Sequence, residues 1–444
     1  MKPVPGNVRS LAAWSVDRTL DARRPADRFL GKAEKDLDLR DRRLLRELVL
    51  GSLRWLRRLD HVVESASSRP LAAIESPLRS PLRVAVYQLL FLERVPAHAA
   101  VHEAVEEARR RSHRGGAGFV NAVLRRISKS AHLEAWPVRE GSLGRRLAIE
   151  TSHPDLLVER WLEQFGEQRT RDLLVVNNRP KPWQVLTFRQ RGGRDETAAH
   201  LAVDGVVTEP SSVSPLGLVV TAGQPLDTDA FSRGSIYLQD VASQAAALIP
   251  PPEPGERVVD MAAAPGGKSF SLLALEPGIE IVAVDVDQAR LRVLETNRDR
   301  LCLHLPIVQA DGLYPPLRTA FDRVVLDLPC TGTGTLRKNP ELKWRIDEQE
   351  IQRLSRQGLE MLRAGSELVR PGGVLSVVTC SLEPEENAEV VARFLAEQSE
   401  FELMQLAGSL PAPLDQGVDG KGRWQILPAD VHDGFTVHVL QRSR

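Results

Sequence analysis

Apolar residues recur with a helical period through the first third of the chain. In DRRLLRELVLGSLRWLRRLDHVV, Leu45, Leu48, Val49 and Leu56 share one face, with arginines between them. In VHEAVEEARRR, Val101, Ala104, Val105 and Ala108 fall at i, i+3, i+4 and i+7. FVNAVLRRI repeats the pattern with Phe119, Val123, Leu124 and Ile127, and Gly115, Gly116 and Gly118 mark a break before it. Residues 5–130 are therefore predicted to be all-helical. A helical connector follows over 130–180, punctuated by Pro154 and by RPKP at 179–182. From Trp183 the period shortens, and WQVLTF, GVVTEP and LGLVVT predict short strands. SIYLQDVASQAAALIP then leads into a helix that PPPEPGE at 250–256 stops.

From Arg257 onward, strand, loop and helix alternate. RVVDM, IVAVDV, PIVQAD, DRVVLDLP and GVLSVVTC predict buried strands, with helices between them. The expected architecture is multidomain. An all-α N-terminal domain covers 1–135, a helical connector with a small α/β module covers 136–245, and a Rossmann-like α/β domain with a doubly wound parallel sheet covers 246–444. Such sheets take ligands beyond the carboxyl ends of their strands.

Composition narrows the class. The chain of 444 residues is 42% hydrophobic and 27% charged, an ordinary globular balance. It shows no signal-peptide core and no apolar run long enough to span a bilayer, so a cytoplasmic, membrane-free protein is expected. Three cysteines, Cys302, Cys330 and Cys380, make no CxxC pair, and the ten histidines make no HExxH. Neither a disulfide scaffold nor a zinc site is expected. Lys/Arg and Asp/Glu balance at 59 each, but residues 1–130 hold about 26 of the first against about 15 of the second. A basic module joined to an acidic one suits a polyanionic partner, or simply an arginine-rich solvated helical surface.

The chemistry gathers at predicted strand ends. The first strand ends in Asp260, followed by AAAPGGKS and a helix. Small residues and two glycines admit close backbone approach, and the helix start offers free N–H groups. The loop matches neither GxGxxG nor the GxxxxGK[ST] phosphate loop. A ligand with a carboxylate suits it better; otherwise it is a tight strand–helix turn. The second strand ends in Asp285, where a ribose diol would be held. The third ends in Asp311–Gly312, within reach of an adenine amino group. One strand-end Asp alone usually caps a helix. Three in succession after a Gly-rich loop point to a nucleoside.

The fourth strand ends in DLPC (Asp327, Cys330) and the fifth in TCS (Cys380). If those strands are neighbours, both thiols reach one mouth. A lone free cysteine is usually a small buried residue. Two at adjacent strand ends fit a specific chemistry. C5 of cytosine is a poor nucleophile until a thiolate adds to C6. The adduct must then lose the C5 proton and expel the thiol. A second cysteine would assist, and an acid near N3, such as Asp327, would stabilise charge on the ring. Methylation of an exocyclic amine would instead need an aromatic clamp where Cys330 stands. Cys302, within LCLHLP, has no such context and is expected to be structural.

AAAPGGKS, AVDVD, ADG, DLPCTGTGTLRKNPELKW and VVTCSLEPEENAEVV closely resemble the RNA m5C methyltransferases, over about residue 232 to the DGF at 433–435. The resemblance implies S-adenosyl-L-methionine as cofactor, Cys380 as nucleophile and Cys330 as the cysteine that aids release. It places Ala262, Ala263, Ala264, Pro265, Gly266, Gly267, Lys268, Asp285, Asp311 and Asp327 on the cofactor. Family members often carry a non-catalytic cysteine at the position of Ala262. The N-terminal region resembles a NusB-type RNA-binding domain through the helices quoted above and VPAHAAVHEAVEEAR. Together the halves resemble bacterial small-subunit rRNA methyltransferases of the Fmu/Sun type. That implies 16S rRNA, naked or partly assembled, as substrate of a monomeric enzyme, with the target base unstacked into the pocket. Candidate phosphate contacts are Arg54, Arg57, Arg58, Arg109, Arg110, Arg125 and Arg126, each of which also reads as part of a solvated helix face, and more strongly Arg337 and Lys338 after the Cys330 loop. Rival readings are a tRNA cytosine-C5 methyltransferase and a non-catalytic NusB-like RNA-binding factor.

Overall fold

A computed structural model describes residues 6–317, 321–420 and 422–444. The chain divides into two compact units, one of residues 1–179 with 336–346, the other of 180–335 with 347–444.

The first unit is helical. Its helices include Val8–Ala22, Leu39–Arg54, Leu56–Ser67, Ser76–Phe91, Ala97–Arg111 and Arg114–Ser128. The apolar stripe read from the sequence is its core: Leu45, Leu48, Val49, Val123, Leu124 and Ile127 are buried. A fully buried side chain of this size stabilises by about 1.5–3 kcal/mol relative to exposure. The long arginine-rich run is two helices rather than one, broken at Trp55 (φ −103°, ψ 13°). The glycines expected to break the chain before the last of these helices lie inside its first turns. The break falls at Ser112–His113, and His113 Nδ1 accepts from the Gly116 amide at 3.1 Å.

Residues 336–346, which follow the Cys330 loop, belong to this helical unit. Lys343 is fully buried there, donating to Arg54 O, Ser152 O and Asn178 Oδ1 at 3.2, 3.1 and 2.8 Å. Trp344 Nε1 donates to Leu53 O at 2.7 Å. Three oxygens satisfy an ammonium that burial holds well below its ordinary pKa.

The second unit holds two sheets. Strands β1 (Gln184–Thr187), β2 (Val207–Pro210), β3 (Gly217–Ala222) and β4 (Ile236–Leu238) form an antiparallel sheet in the order β2-β3-β1-β4. The larger sheet comprises β5 (Arg257–Met261), β6 (Glu280–Asp285), β7 (Ile307–Gln309), β8 (Phe321–Asp327), β9 (Val369–Thr379), β10 (Phe401–Leu403), β11 (Trp424–Ile426) and β12 (Phe435–Arg442). Its order is β10-β12-β9-β8-β5-β6-β7, with β11 paired to β12. Strands β5 to β9 are parallel; the central β5 and β8 are mostly buried, as their Val/Leu runs require, while the edge strand β7 is half-exposed. The five strands expected to be parallel are so, and the sheet extends beyond them: β12 runs antiparallel to β9, and β10 and β11 antiparallel to β12. Two features matter for function. The chain winds outward from β5 in both directions, so a crevice opens between β5 and β8 at their carboxyl ends. And β8 and β9 are in register, Asp327 opposite Val378, which delivers both cysteine loops side by side.

Candidate functional site

The loop after β5 turns sharply. Ala262 (φ 61°) and Gly266 (φ 108°) both sit in the left-handed region. A Cβ on Gly266 would lie 2.5 Å from the Phe270 ring, and one on Gly267 3.1 Å from Gln239 Nε2. The helix Gly267–Leu275 then starts from N-cap Gly266 with no side-chain cap on its first amides. Asp260 is fully buried. One of its oxygens accepts from Ser269 Oγ at 2.6 Å, and the other has no hydrogen-bond partner among the described residues. Burial pushes its carboxyl up to about 6, against the Ser269 bond and Lys268. A cradle without side chains, beside an orphaned buried oxygen, is shaped for a polar ligand with donors of its own.

Asp285 ends β6 and is buried. Its two oxygens accept from the backbone amides of Ala264 (3.0 Å) and Asp287 (2.9 Å), so it ties the glycine loop to the next turn. Arg290 donates to Ala264 O from the following helix. Asp311 lies past β7, exposed, and accepts from the Leu313 amide at 3.0 Å.

Asp327 ends β8 one third exposed, and Lys268 Nζ donates to it at 2.5 Å. Burial alone would lower the Lys268 ammonium, but Asp327, with Asp260 and Cys380, raises it above its usual value. The glycine-rich loop after β5 and the end of β8 thus meet through one ion pair.

Cys330 Sγ and Cys380 Sγ are 3.6 Å apart, both half-buried. The hydrogen bond with Cys380, then burial, then the charges of Cys380, Glu386 and Asp327 push the Cys330 thiol well above its ordinary value. The two sulfurs are within hydrogen-bond distance, with either one able to donate. The loops are stitched together. Gly334 N donates to Cys380 O at 2.8 Å, Leu382 N to Thr333 Oγ1 at 2.8 Å, and Gly434 N to Gly334 O at 2.8 Å. A Cβ on Gly334 would lie 2.4 Å from Gly434 O and 2.9 Å from Cys380 O, so three loops close on this glycine. Cys302, exposed at φ 49°, lies outside this group.

Sequence reading missed the supports of this site. Asn387 accepts from Thr379 Oγ1 and donates to Ser381 O (3.0 Å) and Glu383 O (2.9 Å). Glu386 accepts from Thr331 N (2.9 Å) and Thr331 Oγ1 (2.6 Å). Lys181 bridges Asp240 and Asp433, each at 2.5 Å. The EEN after TCS and the closing DGF carried these residues, but spacing along the chain gives no sign of which loop each one fastens.

The arginines expected on RNA are mostly committed within the helical unit. Arg57 grips Asp155 at 2.7 Å, Arg58 is buried against Leu133 O, and Arg54 donates to Arg337 O. Arg110 pairs with Glu107, and Arg126 donates to Ala66 O. Arg337 itself is only 4% exposed, so its guanidinium is packing rather than presented surface; Lys338 stays exposed. Arg109, paired with Glu106, and Arg125 line an open groove of about 980 Å³ between the helices Ala97–Arg111 and Arg114–Ser128.

Among the described residues no helix is long and apolar enough to cross a membrane, and no group of His, Cys, Asp and Glu is placed to hold a metal ion.

Residues 247–441 match the family described as 16S rRNA methyltransferase RsmB/F. Residues 7–129 match the NusB family, and 153–227 the ferredoxin-like domain of RsmF/B-like methyltransferases. The ribosomal RNA small subunit methyltransferase B of Klebsiella pneumoniae is 32% identical over 446 residues, 99% of both chains. That of Vibrio cholerae is 33% identical over 444 residues, 98% of both chains. The crystal structure of PH0851 is similar with a TM-score of 0.78 and 26% identity, over 99% of this chain and 100% of that one.

Proposed function

Because the chain belongs to the RsmB/F family of S-adenosylmethionine-dependent 16S rRNA methyltransferases, we propose that it methylates C5 of a cytosine in 16S rRNA through a covalent Cys380–C6 adduct. The observation that carries the reading is the thiol pair. Two cysteines 3.6 Å apart stand beside a Lys268–Asp327 ion pair at the carboxyl ends of the neighbouring strands β5, β8 and β9.

The glycine loop 262–268, Asp285, Asp311 and Asp327 hold the cofactor, which supplies an electrophilic methyl group when bound. The bare backbone at Gly266 and Gly267 and the orphaned Asp260 oxygen fit a ligand carrying an ammonium and a carboxylate. Arg290 acts one step back by fixing the Ala264 oxygen, while Asp285 also ties the Ala264 amide.

The chain's own residues then carry the cytosine through the reaction. Cys380, as thiolate, forms a bond to C6 and turns C5 into an enamine-like carbon that takes the methyl group. Asp327 stabilises charge at N3, and Lys268 holds Asp327 in place. A base removes the C5 proton, the C6–sulfur bond breaks, and the sulfur leaves as thiolate. Cys330 serves departure: its S–H donates to the leaving sulfur.

The direct test is transfer of labelled methyl to rRNA followed by bisulfite mapping of the product. A single protected cytosine in 16S rRNA is the expected result. Label confined to tRNA would overturn the substrate assignment, and label on an exocyclic amine would overturn the chemistry. A substitution checks the cofactor cradle separately. Gly266→Val adds atoms where a Cβ is already 2.5 Å from Phe270, at a φ that branched residues avoid. Calorimetry is expected to show at least about a 30-fold loss of cofactor affinity, roughly 2 kcal/mol. An unchanged affinity would remove this loop from the binding site.

A further inference from the structure

We propose that Glu386 is the positioning residue of the two-thiol site: its carboxylate, bonded to Thr331, fixes the loop that carries Cys330 and sets a negative charge on that side of the thiol pair while Cys380 attacks. The proposal rests on the covalent reading above and names what sets the division of labour between two chemically identical side chains.

Glu386 is 2% exposed, and among the described residues it makes no ion pair with a cation. Both its oxygens go to the residue next to Cys330: Oε1 accepts from Thr331 N at 2.9 Å and Oε2 from Thr331 Oγ1 at 2.6 Å. A buried carboxylate with a bond on each oxygen from Thr331, and Ser381 also bonded to it, acts on the loop that Thr331 belongs to. The loop has a second tie, since Thr331 Oγ1 and Thr333 Oγ1 lie 3.4 and 3.3 Å from Ser381 Oγ, the hydroxyl that follows Cys380. The turn bearing Glu386 is itself anchored: Ser355 Oγ donates to Glu385 O at 2.6 Å, and Asn387 locks the Cys380 side. Residues 386 and 387 therefore hold one cysteine loop each, and the sulfur separation is set between them.

The charge does the second part. Like charge disfavours like charge, so a carboxylate near Cys330 raises the cost of a thiolate there. Its field acts on Cys330, together with Asp327 and Cys380. Burial pushes Glu386 itself up to about 7, against the bonds from Ser381 and Thr331 and with nearby Glu383 adding to the rise. The two thiols share a single proton in the reactive state, and Glu386 biases it onto Cys330. The proton then serves twice: it stabilises the Cys380 thiolate before attack, and it receives that thiolate on departure.

Site-resolved alkylation of the full chain with iodoacetamide at pH 8, read by mass spectrometry, needs no RNA and tests this directly. In Glu386→Gln, which keeps size and an acceptor but removes charge, Cys330 labelling is expected to rise at least about fivefold while Cys380 changes less than about twofold. Glu386→Asp, which keeps the charge and shortens the reach, is expected to return Cys330 towards wild-type reactivity without restoring turnover. In methyl transfer, kcat of Glu386→Gln is expected to fall about tenfold with KM for RNA within about twofold. Unchanged Cys330 labelling, or equal rises at both cysteines, overturns the proposal. Should Glu386→Gln not fold, Thr331→Val removes the 2.6 Å bond; Cys330 labelling must then rise at least about twofold, or the proposal falls. Failure of the covalent reading looks different: wild-type methyl transfer would survive loss of Cys380, whatever the labelling ratio.

Discussion

Cys380→Ala is expected to abolish methyl transfer to RNA, with kcat down by at least about 10⁴-fold, the scale on which loss of a covalent nucleophile registers. Cofactor affinity is expected to stay within about twofold, because Cys380 sits on the β9 side of the crevice while the binding loop follows β5. Folding stability is expected to change by less than about 1 kcal/mol, since the side chain is only half-buried. The second thiol does not rescue the reaction. Cys330 is 3.6 Å away, but the Cys380 bond, burial and the neighbouring carboxylates hold it as a thiol. Filter-binding of labelled methyl to rRNA measures the loss, and calorimetry and urea unfolding check the two controls. Activity within tenfold of wild type would remove Cys380 from the chemistry.

Cys330→Ala is expected to do something different in kind. Attack and methyl transfer need only Cys380, so one round proceeds. Departure then lacks its hydrogen-bond donor, and the sulfur remains bonded to C6. Steady-state turnover is expected to fall about 10²–10³-fold, the range of a lost acid–base partner. At the same time an RNA–protein species that survives denaturing electrophoresis accumulates towards one per enzyme. The double variant Cys330→Ala/Cys380→Ala is expected to show none. If the single variant turns over slowly with no adduct, Cys330 acts before bond formation instead, and its release role is wrong.

Much of this site was legible along the chain because parallel strands deliver their carboxyl ends to one edge. Asp260, Asp285, Asp327 and Cys380 each close a run of Val and Leu, and such runs only make sense as strands buried on both faces. Once β8 and β9 are neighbours, Cys330 and Cys380 must share a mouth. Other parts were not legible. The antiparallel strands β10, β11 and β12 are short or carry mixed residues such as FTVHVLQR, and β12 pairs with β9 residues 57 to 67 positions away. Trp55 splits a helix whose stripe runs straight through it, since amphipathic period continues across a single non-helical residue. Arginine clusters misled for a related reason. A guanidinium reads as surface in a sequence, but Arg58 and Arg337 fold their heads inward. Glu386 and Asn387 followed the nucleophile by a few residues, yet their work lies across the loop, and only the fold reveals whom they hold.

The most direct test of covalent catalysis is to locate the bond. Trapped complex from Cys330→Ala and 16S rRNA, digested with nuclease and protease, is read by mass spectrometry. A 5-methylcytidine nucleotide mass carried on the peptide containing Cys380 is the expected result. The same mass on any other residue, or adduct-free peptide from an enzyme that has turned over, would contradict it.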